Sequence, residues 1–239
     1  MDEAALPKTC CPPATIWLWP GQAAYLGPSL NLAPHAGSVH CFALGVDAPF
    51  TLHTKDLGER RVRSALLPAR TRHHLIADGR MLFFYLDPAP DLPALDFTPE
   101  SLLAQVQAGR PDPARLREFF LPPHRAEPDE RIRAALEFLR ARPAAQTSAA
   151  ELAATVHLST SRFLHLFSAT THTTFRRYRL WTRMLHVATA ISNGADLTQA
   201  STAAGFASPS HFSDTFRAMF GLSASTLLAA TTRLIVLDD

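Results

Sequence analysis

The chain has 239 residues, of which 47 % are apolar and 18 % charged, so it can bury a sizeable core and is not a disordered polypeptide. That length suits one large domain or two modest ones. Net charge is +2, too small a surplus to identify a nucleic-acid binder by itself, and three cysteines make no disulfide framework. The longest apolar runs, such as Met81 to Leu86, are far shorter than the ~18 residues a membrane span requires. The first residues are acidic and show no secretory signal, and the expected compartment is the reducing cytoplasm. Cys10 and Cys11 are read as a reduced pair.

Residues 14–97 read as β structure. Val39 to Val46 alternates, placing His40, Phe42, Leu44 and Val46 on one face and small residues on the other. Ile16 to Trp19, Phe50 to Leu52, Val62 to Leu67 and Met81 to Leu86 are further strand candidates, with a tight Asp78-Gly79 turn before the last. Such spacing predicts a small sandwich or barrel. Thr98-Pro99 and Asp112-Pro113 each pair a capping side chain with proline at the first helical position, predicting two short helices, 99–108 and 113–120, with Gly109 ending the first. Prolines 122, 123 and 128 then mark a stiff linker over 122–128, separating an N-terminal domain (1–121) from a C-terminal one (129–239).

From residue 129 onward the pattern is helical throughout. Ile132, Ala135, Leu136 and Leu139 form an apolar stripe, Ser148 to Glu151 fits a capping box, and Phe175 to Ile191 forms a long helix stopped by Asn193-Gly194. Within this half one passage repeats at an offset of 49 residues. Ser159, Ser161, Phe163 and Phe167 correspond to Ser208, Ser210, Phe212 and Phe216, each set preceded by a short helix and a tight turn. Short helix, turn and capped second helix are the components of a helix-turn-helix unit. The phenylalanines, four apart, anchor each second helix and leave the intervening positions facing outward. A helix of about 17 residues between the units spans roughly 25 Å, which suits two recognition helices on one face of a duplex.

The run Gly205-Phe206, Ser208, Ser210-His211-Phe212-Ser213, Phe216-Arg217, Phe220-Gly221 and Ser223, together with Glu151-Leu152-Ala153, Leu158-Ser159, Tyr178, Arg183 and Ala188, resembles the AraC/XylS-type transcription regulators over residues 131–228. The pattern departs from that family at His172, Asp214, Ala224 and Leu228-Ala229. His35, Gly45, Pro68, His73-His74 and Leu86-Asp87-Pro88 resemble, more faintly, the cupin-like domain that precedes such units. The resemblance implies an α+β multi-domain protein: a small cupin-like β-barrel with two trailing helices, then an all-α tandem helix-turn-helix domain. It implies a sequence-specific DNA-binding regulator without catalytic activity, modulated by a small ligand or by dimerisation.

Ser161, Leu164, His165, Ser208, Pro209, Ser210, His211, Ser213 and Asp214 are the expected contacts to base edges and their surroundings, with Arg162, Arg176, Arg177 and Arg217 on phosphates. His35, His40, Phe42 and His73 are the candidate effector contacts. The spacing of the histidines does not supply a metal-ligand set, and neither metal nor cofactor is expected. Expected partners are double-stranded DNA, a small-molecule effector, a second copy of the chain and, for an activator, RNA polymerase, with no membrane. Two other readings fit the same residues: a metal-dependent cupin-type enzyme, and an adaptor whose helical domain binds protein.

Overall fold

The computed structural model describes residues 13–87, 99–108, 111–120, 129–228 and 232–237. Cys10, Cys11, Thr98, Gly109, the linker 122–128 and Ala229 lie outside the described residues. The N-terminal half supplies β1 (Thr15–Trp19), β2 (Gln22–Pro28), β3 (His40–Gly45), β4 (Phe50–Thr54), β5 (Gly58–Val62), β6 (Ser64–Leu67), β7 (His73–Ile76) and β8 (Arg80–Leu86). One sheet has the order β6-β3-β8-β2-β1 with a sixth strand beyond β1, and a second sheet has the order β5-β4-β7. The strand expected over Val62 to Leu67 is broken at Arg63, so its residues divide between two sheets. Arg63 instead donates from Nη1 to the carbonyl of Gly45 at 3.1 Å.

All six residues of β3 are buried, because the large sheet is covered on both faces. Phe42, Leu44 and Phe84 pack under two short helices, α1 (Pro99–Gln107) and α2 (Pro113–Glu118), against Leu102, Leu116 and Phe120. Asp112 caps α2 by accepting from Ala114 N at 3.0 Å, with Pro113 in the first turn. The other face presents Cys41, Ala43, Tyr25 and Phe83 to the small sheet and to the C-terminal helices.

Those helices are α3 (Glu130–Ala141), α4 (Ala149–Thr155), α5 (Thr160–Thr171), α6 (Phe175–Ser192), α7 (Leu197–Ala203), α8 (Pro209–Phe220) and α9 (Ala224–Leu227). Their ends follow local chemistry. Ser148 and Glu151 form a reciprocal capping box on α4, Ser159 caps α5, and Ser208 caps α8 with Pro209 in its first turn. The pairs α4–α5 and α7–α8 are the two helix-turn-helix units.

The two units are built differently. The first has its own core, where Phe163, Phe167, Phe175 and Tyr178 meet Ile132 and Leu136 of α3. In the second, Phe212, Phe216 and Met219 join Trp181 and the β residues Ile16, Tyr25 and Phe83 in one continuous core. The hydrophobic core therefore crosses the expected domain boundary.

The C-terminal half is not all-α. Residues Arg233–Val236 form β9, which pairs in parallel with β1, Ile16 opposite Leu234 and Leu18 opposite Val236. The apolar, β-branched run Leu234-Ile235-Val236 finds open backbone donors and acceptors along β1, and that pairing outweighs any helical continuation.

Candidate nucleic-acid interface

Each recognition helix is fixed by its phenylalanines and its cap. Phe163 and Phe167 are buried beneath α5, and Phe212 and Phe216 beneath α8, so the residues between them point outward. Ser161, Arg162, Leu164 and His165 are exposed on α5; Ser210, His211, Ser213, Asp214 and Arg217 are exposed on α8. Leu164 leaves 39 % of its surface in solvent, an apolar tip of the kind that meets a thymine methyl.

Several of these groups are already oriented by the backbone. The Ser208 hydroxyl accepts from His211 N at 3.1 Å and so acts as the cap, beside the exposed ring of Pro209. Ser213 donates to the carbonyl of Pro209 at 2.9 Å, which leaves its oxygen outward as an acceptor. His211 rests against Phe206, ring centres 5.7 Å apart, and its Nδ1 accepts from Ala207 N at 3.4 Å. That bond selects the tautomer with hydrogen on Nε2, a donor suited to guanine O6 or N7.

The turns of the two units differ by one residue. His157 in the first and Gly205 in the second both take a left-handed backbone, φ 55° and 81°, and the following residue in each bonds back to the preceding helix. Ala207 is the extra residue of the second turn.

Both recognition helices end against the β-domain. His172, at the C-terminus of α5, sits in the left-handed region at φ 54°, with its ring 5.3 Å from that of His40. Gly221 closes α8 at φ 77°, 49 residues later, where its carbonyl accepts from Ala33 N at 2.8 Å. A Cβ at Gly221 would press on the carbonyl of Ala33 and lie 2.7 Å from Nδ1 of His35. Ala36 N also reaches the carbonyl of Ala218, at 3.4 Å.

Arg177 belongs to this junction and is half-buried rather than outward. Its Nη1 donates to the carbonyls of Ala36 and Gly37 at 3.1 and 3.2 Å. Arg176, its neighbour, is exposed and open to phosphate. A buried polar cluster completes the junction: Tyr178 donates to Asp87, and Arg140 donates from Nη2 to Asp87 at 3.2 Å and from Nε to Tyr178 at 3.0 Å. Burial works against the Arg140 charge, but Asp87 and the Tyr178 oxygen more than offset it and hold the guanidinium above its ordinary pKa. Trp181 donates from Nε1 to the carbonyl of Gly21 at 2.9 Å.

Residues 152–230 match a family model described as a helix-turn-helix domain. They form an AraC-type helix-turn-helix domain. The match opens in α4 and runs past α9, so it takes in the second unit whole and the first from Leu152 onward, while α3 precedes it. No curated protein matches the chain in sequence. An apo variant of ToxT from Vibrio cholerae strain SCE256 shares its fold at a TM-score of 0.61 and 12 % identity, covering 89 % of this chain and 98 % of that one. Unsaturated fatty acid-bound wild-type ToxT from the same strain superposes at 0.55, with 12 % identity over 89 % of this chain and 92 % of that one. ToxT from Vibrio cholerae O395 bound to (E)-4-(8-methylnaphthalen-1-yl)but-3-enoic acid gives 0.51, with 11 % identity over 85 % and 96 %. The sheet-rich region followed by an AraC-type domain is thus a shared fold.

The candidate effector residues are not brought together. His35 and His73 are adjacent, ring centres 4.4 Å apart, but each Nδ1 is bonded to a local carbonyl, Ala33 at 2.9 Å and Thr71 at 2.8 Å. Burial lowers the His35 pKa to about 4, with His73 adding to the shift, and burial lowers His40 to about 4 with help from His172. Phe42 packs against Phe120, on the face of the large sheet that α1 and α2 cover. Among the described residues no three His, Cys, Asp or Glu side chains converge as a metal site, and no helix is long and apolar enough to cross a membrane.

The sequence reading missed a cavity of about 80 Å³ between the large sheet and the AraC-type domain, walled by Tyr25, Leu30, Phe83, Trp181, Ala188 and Phe216 among others. None of His35, His40, Phe42 or His73 lines it. Its walls are ordinary core residues, so only the three-dimensional arrangement distinguishes them. The pairing of Asp87 with Tyr178 and Arg140 was equally hidden, since each residue is unremarkable in its own segment.

Proposed function

We propose that this chain is a sequence-specific transcription regulator whose β-domain senses a small molecule and passes its state to two DNA-reading helices. The observation that carries the reading is that equivalent ends of both recognition helices, His172 and Gly221, rest on the same β-domain, beside residues 33–40. A change in that segment acts on both units at once. In the docked arrangement Arg177 is engaged by backbone carbonyls, so release of the β-domain returns one cation to the DNA-facing side. A ligand that favours one of the two arrangements shifts the population between them in proportion to its differential affinity.

Base-edge recognition is assigned to Ser161, Leu164, His165, Ser210, His211 and Ser213, with Ser208 and Pro209 setting the helix start and Asp214 facing the duplex as a charge that its phosphates repel. Phosphate contact is assigned to Arg162, Arg176 and Arg217. The work is done in the cytoplasm, without catalysis, and a second copy of the chain and RNA polymerase are the protein partners of an activating form. The likeness to ligand-bound ToxT supports a ligand-responsive β-domain.

The test is selection of bound sites from random duplexes with the full chain, followed by affinity against salt. Few cations serve each unit, so log K against log salt should be shallow, about −3 to −6 on the relation of −0.9 per phosphate. Recovery of no consensus, or affinity that ignores salt, rejects the reading.

A further inference from the structure

The cavity between the sheet and the AraC-type domain says something about the chemistry of its occupant. Its wall comes from β1, β2 and β8 on one side and from α6, α8 and α9 on the other, the two bodies whose contact the regulation depends on. Among the described residues that line it there is no lysine, arginine, histidine, aspartate or glutamate. The polar side-chain groups in the wall are few and uncharged. Tyr25 donates to the carbonyl of Pro28 at 2.7 Å, Trp181 donates to Gly21, and burial holds the Tyr85 phenol well above its ordinary pKa, so that it stays uncharged. Among the described residues no cation of the wall is left to receive a carboxylate.

We infer that the effector held here is a small, uncharged, largely apolar molecule, such as an alkylbenzene or a compact hydrocarbon, and that carboxylates are rejected. This rests on the ligand-sensing reading above and narrows it. ToxT has been described with acids bound; the cavity of this chain offers an acid no counter-charge. A carboxylate enclosed without a cation or donors loses its hydration and gains nothing in return. An apolar guest loses no such hydration and fills space that the walls leave open, as benzene does in a larger engineered apolar cavity of about 150 Å³. A ligand seated there touches the sheet and α6 together, and so bears on the contact between the two halves.

The experiment compares p-xylene with 4-methylbenzoate, which differ by one methyl exchanged for a carboxylate, in calorimetric titrations of the full-length protein. p-Xylene should bind at one site per chain, and 4-methylbenzoate at least about tenfold more weakly. Ala188→Leu, which fills the cavity from α6, should abolish p-xylene binding while the protein keeps its melting transition. Leu30→Arg, at a partly exposed position in the wall, should bring 4-methylbenzoate binding up to that of p-xylene. Equal or tighter binding of 4-methylbenzoate by the unmodified chain overturns the inference and leaves ligand sensing intact. Binding of p-xylene undiminished in Ala188→Leu places it elsewhere and also overturns the inference. Failure of both compounds to bind overturns the inference and the ligand-sensing reading together.

Discussion

The hydroxyl of Tyr178 lies 2.7 Å from Oδ2 of Asp87, joining the long helix α6 to the residue that follows the last strand of the N-terminal sheet. Asp87 leaves only 1 % of its side chain exposed, and Arg140 approaches the same oxygen from α3. Three elements thus meet on one buried carboxylate. Removing the Tyr178 hydroxyl with Tyr178→Phe should cost about 1–3 kcal/mol, the range for a buried acceptor that loses a donor. Arg140→Ala should cost more, about 3–5 kcal/mol, because it removes one member of a buried ion pair. Urea unfolding of the two variants ranks them; the reverse order would mean that the charge pair is not what secures the junction.

Gly221→Ala tests the contact beneath α8. The backbone there is left-handed at φ 77°, and the new methyl meets the carbonyl of Ala33 and Nδ1 of His35. Both features oppose the substitution, and we expect a loss of at least about 1–2 kcal/mol. Segment 33–37 should also become accessible to protease, and an unchanged cleavage pattern would argue against a tight contact.

Arg176 and Arg177 make a matched comparison. If Arg177 stays with Ala36 and Gly37 when DNA is bound, Arg177→Gln leaves the salt dependence of binding unchanged, whereas Arg176→Gln reduces the slope by about 0.9. That is the expected result for the ligand-free chain. An equal reduction for both variants would show that DNA binding itself opens the contact.

Acid should loosen the junction. His35 and His40 have pKa values of about 4 in the folded chain, against 6.5 when unfolded. The unfolded chain therefore binds more protons between these values, and stability falls as pH drops from 6.5 to 4, being fully retained above 6.5. Each shift amounts to on the order of 3 kcal/mol at its full extent. His40 faces His172, and His35 faces His73, His74 and Arg72, so among the described residues no nearby anion offsets the added charge in either environment. Urea midpoints measured at intervals from pH 7.5 to 4.5 should fall, and His40→Leu should flatten part of the decline.

Asp214 stands exposed on the outward face of α8. A carboxylate facing phosphates is repelled, and Asp214→Ala should tighten binding to all duplexes without altering preference. Loss of preference at a single C·G pair, with binding weaker by about 1–3 kcal/mol, would instead identify Asp214 as a reader of the cytosine amino group.

What the residues disclosed beforehand was local. The serine caps at 148, 159 and 208, the phenylalanine pairs, and the stop at Asn193-Gly194 each follow from interactions within one or two turns, so they survive folding unchanged. β2 escaped notice because Gln22 to Pro28 carries glycine and proline in its last positions, and its stability comes from β1 and β8 on either side. β5 is a polar edge strand, and its Gly58-Glu59-Arg60-Arg61 run reads as loop. The outward residues of α5 and α8 were legible from the repeat. Arg177 was not, since its role depends on carbonyls 140 residues away in sequence. The histidines drew attention by their chemistry, while the cavity is walled by residues that look like any core.

The parallel pairing of β9 with β1 has a consequence for synthesis. β9 leaves the ribosome more than 200 residues after β1. At about 5–20 residues per second, the edge of β1 waits on the order of 10–40 s for its partner. During that interval a row of unpaired amides beside Ile16, Trp17 and Leu18 is a docking edge for any passing strand, nascent neighbours on the same message included. A chain cut short before Arg233 would keep that edge permanently, and would be marked for aggregation or degradation before it could compete for operator DNA with an incomplete sensor.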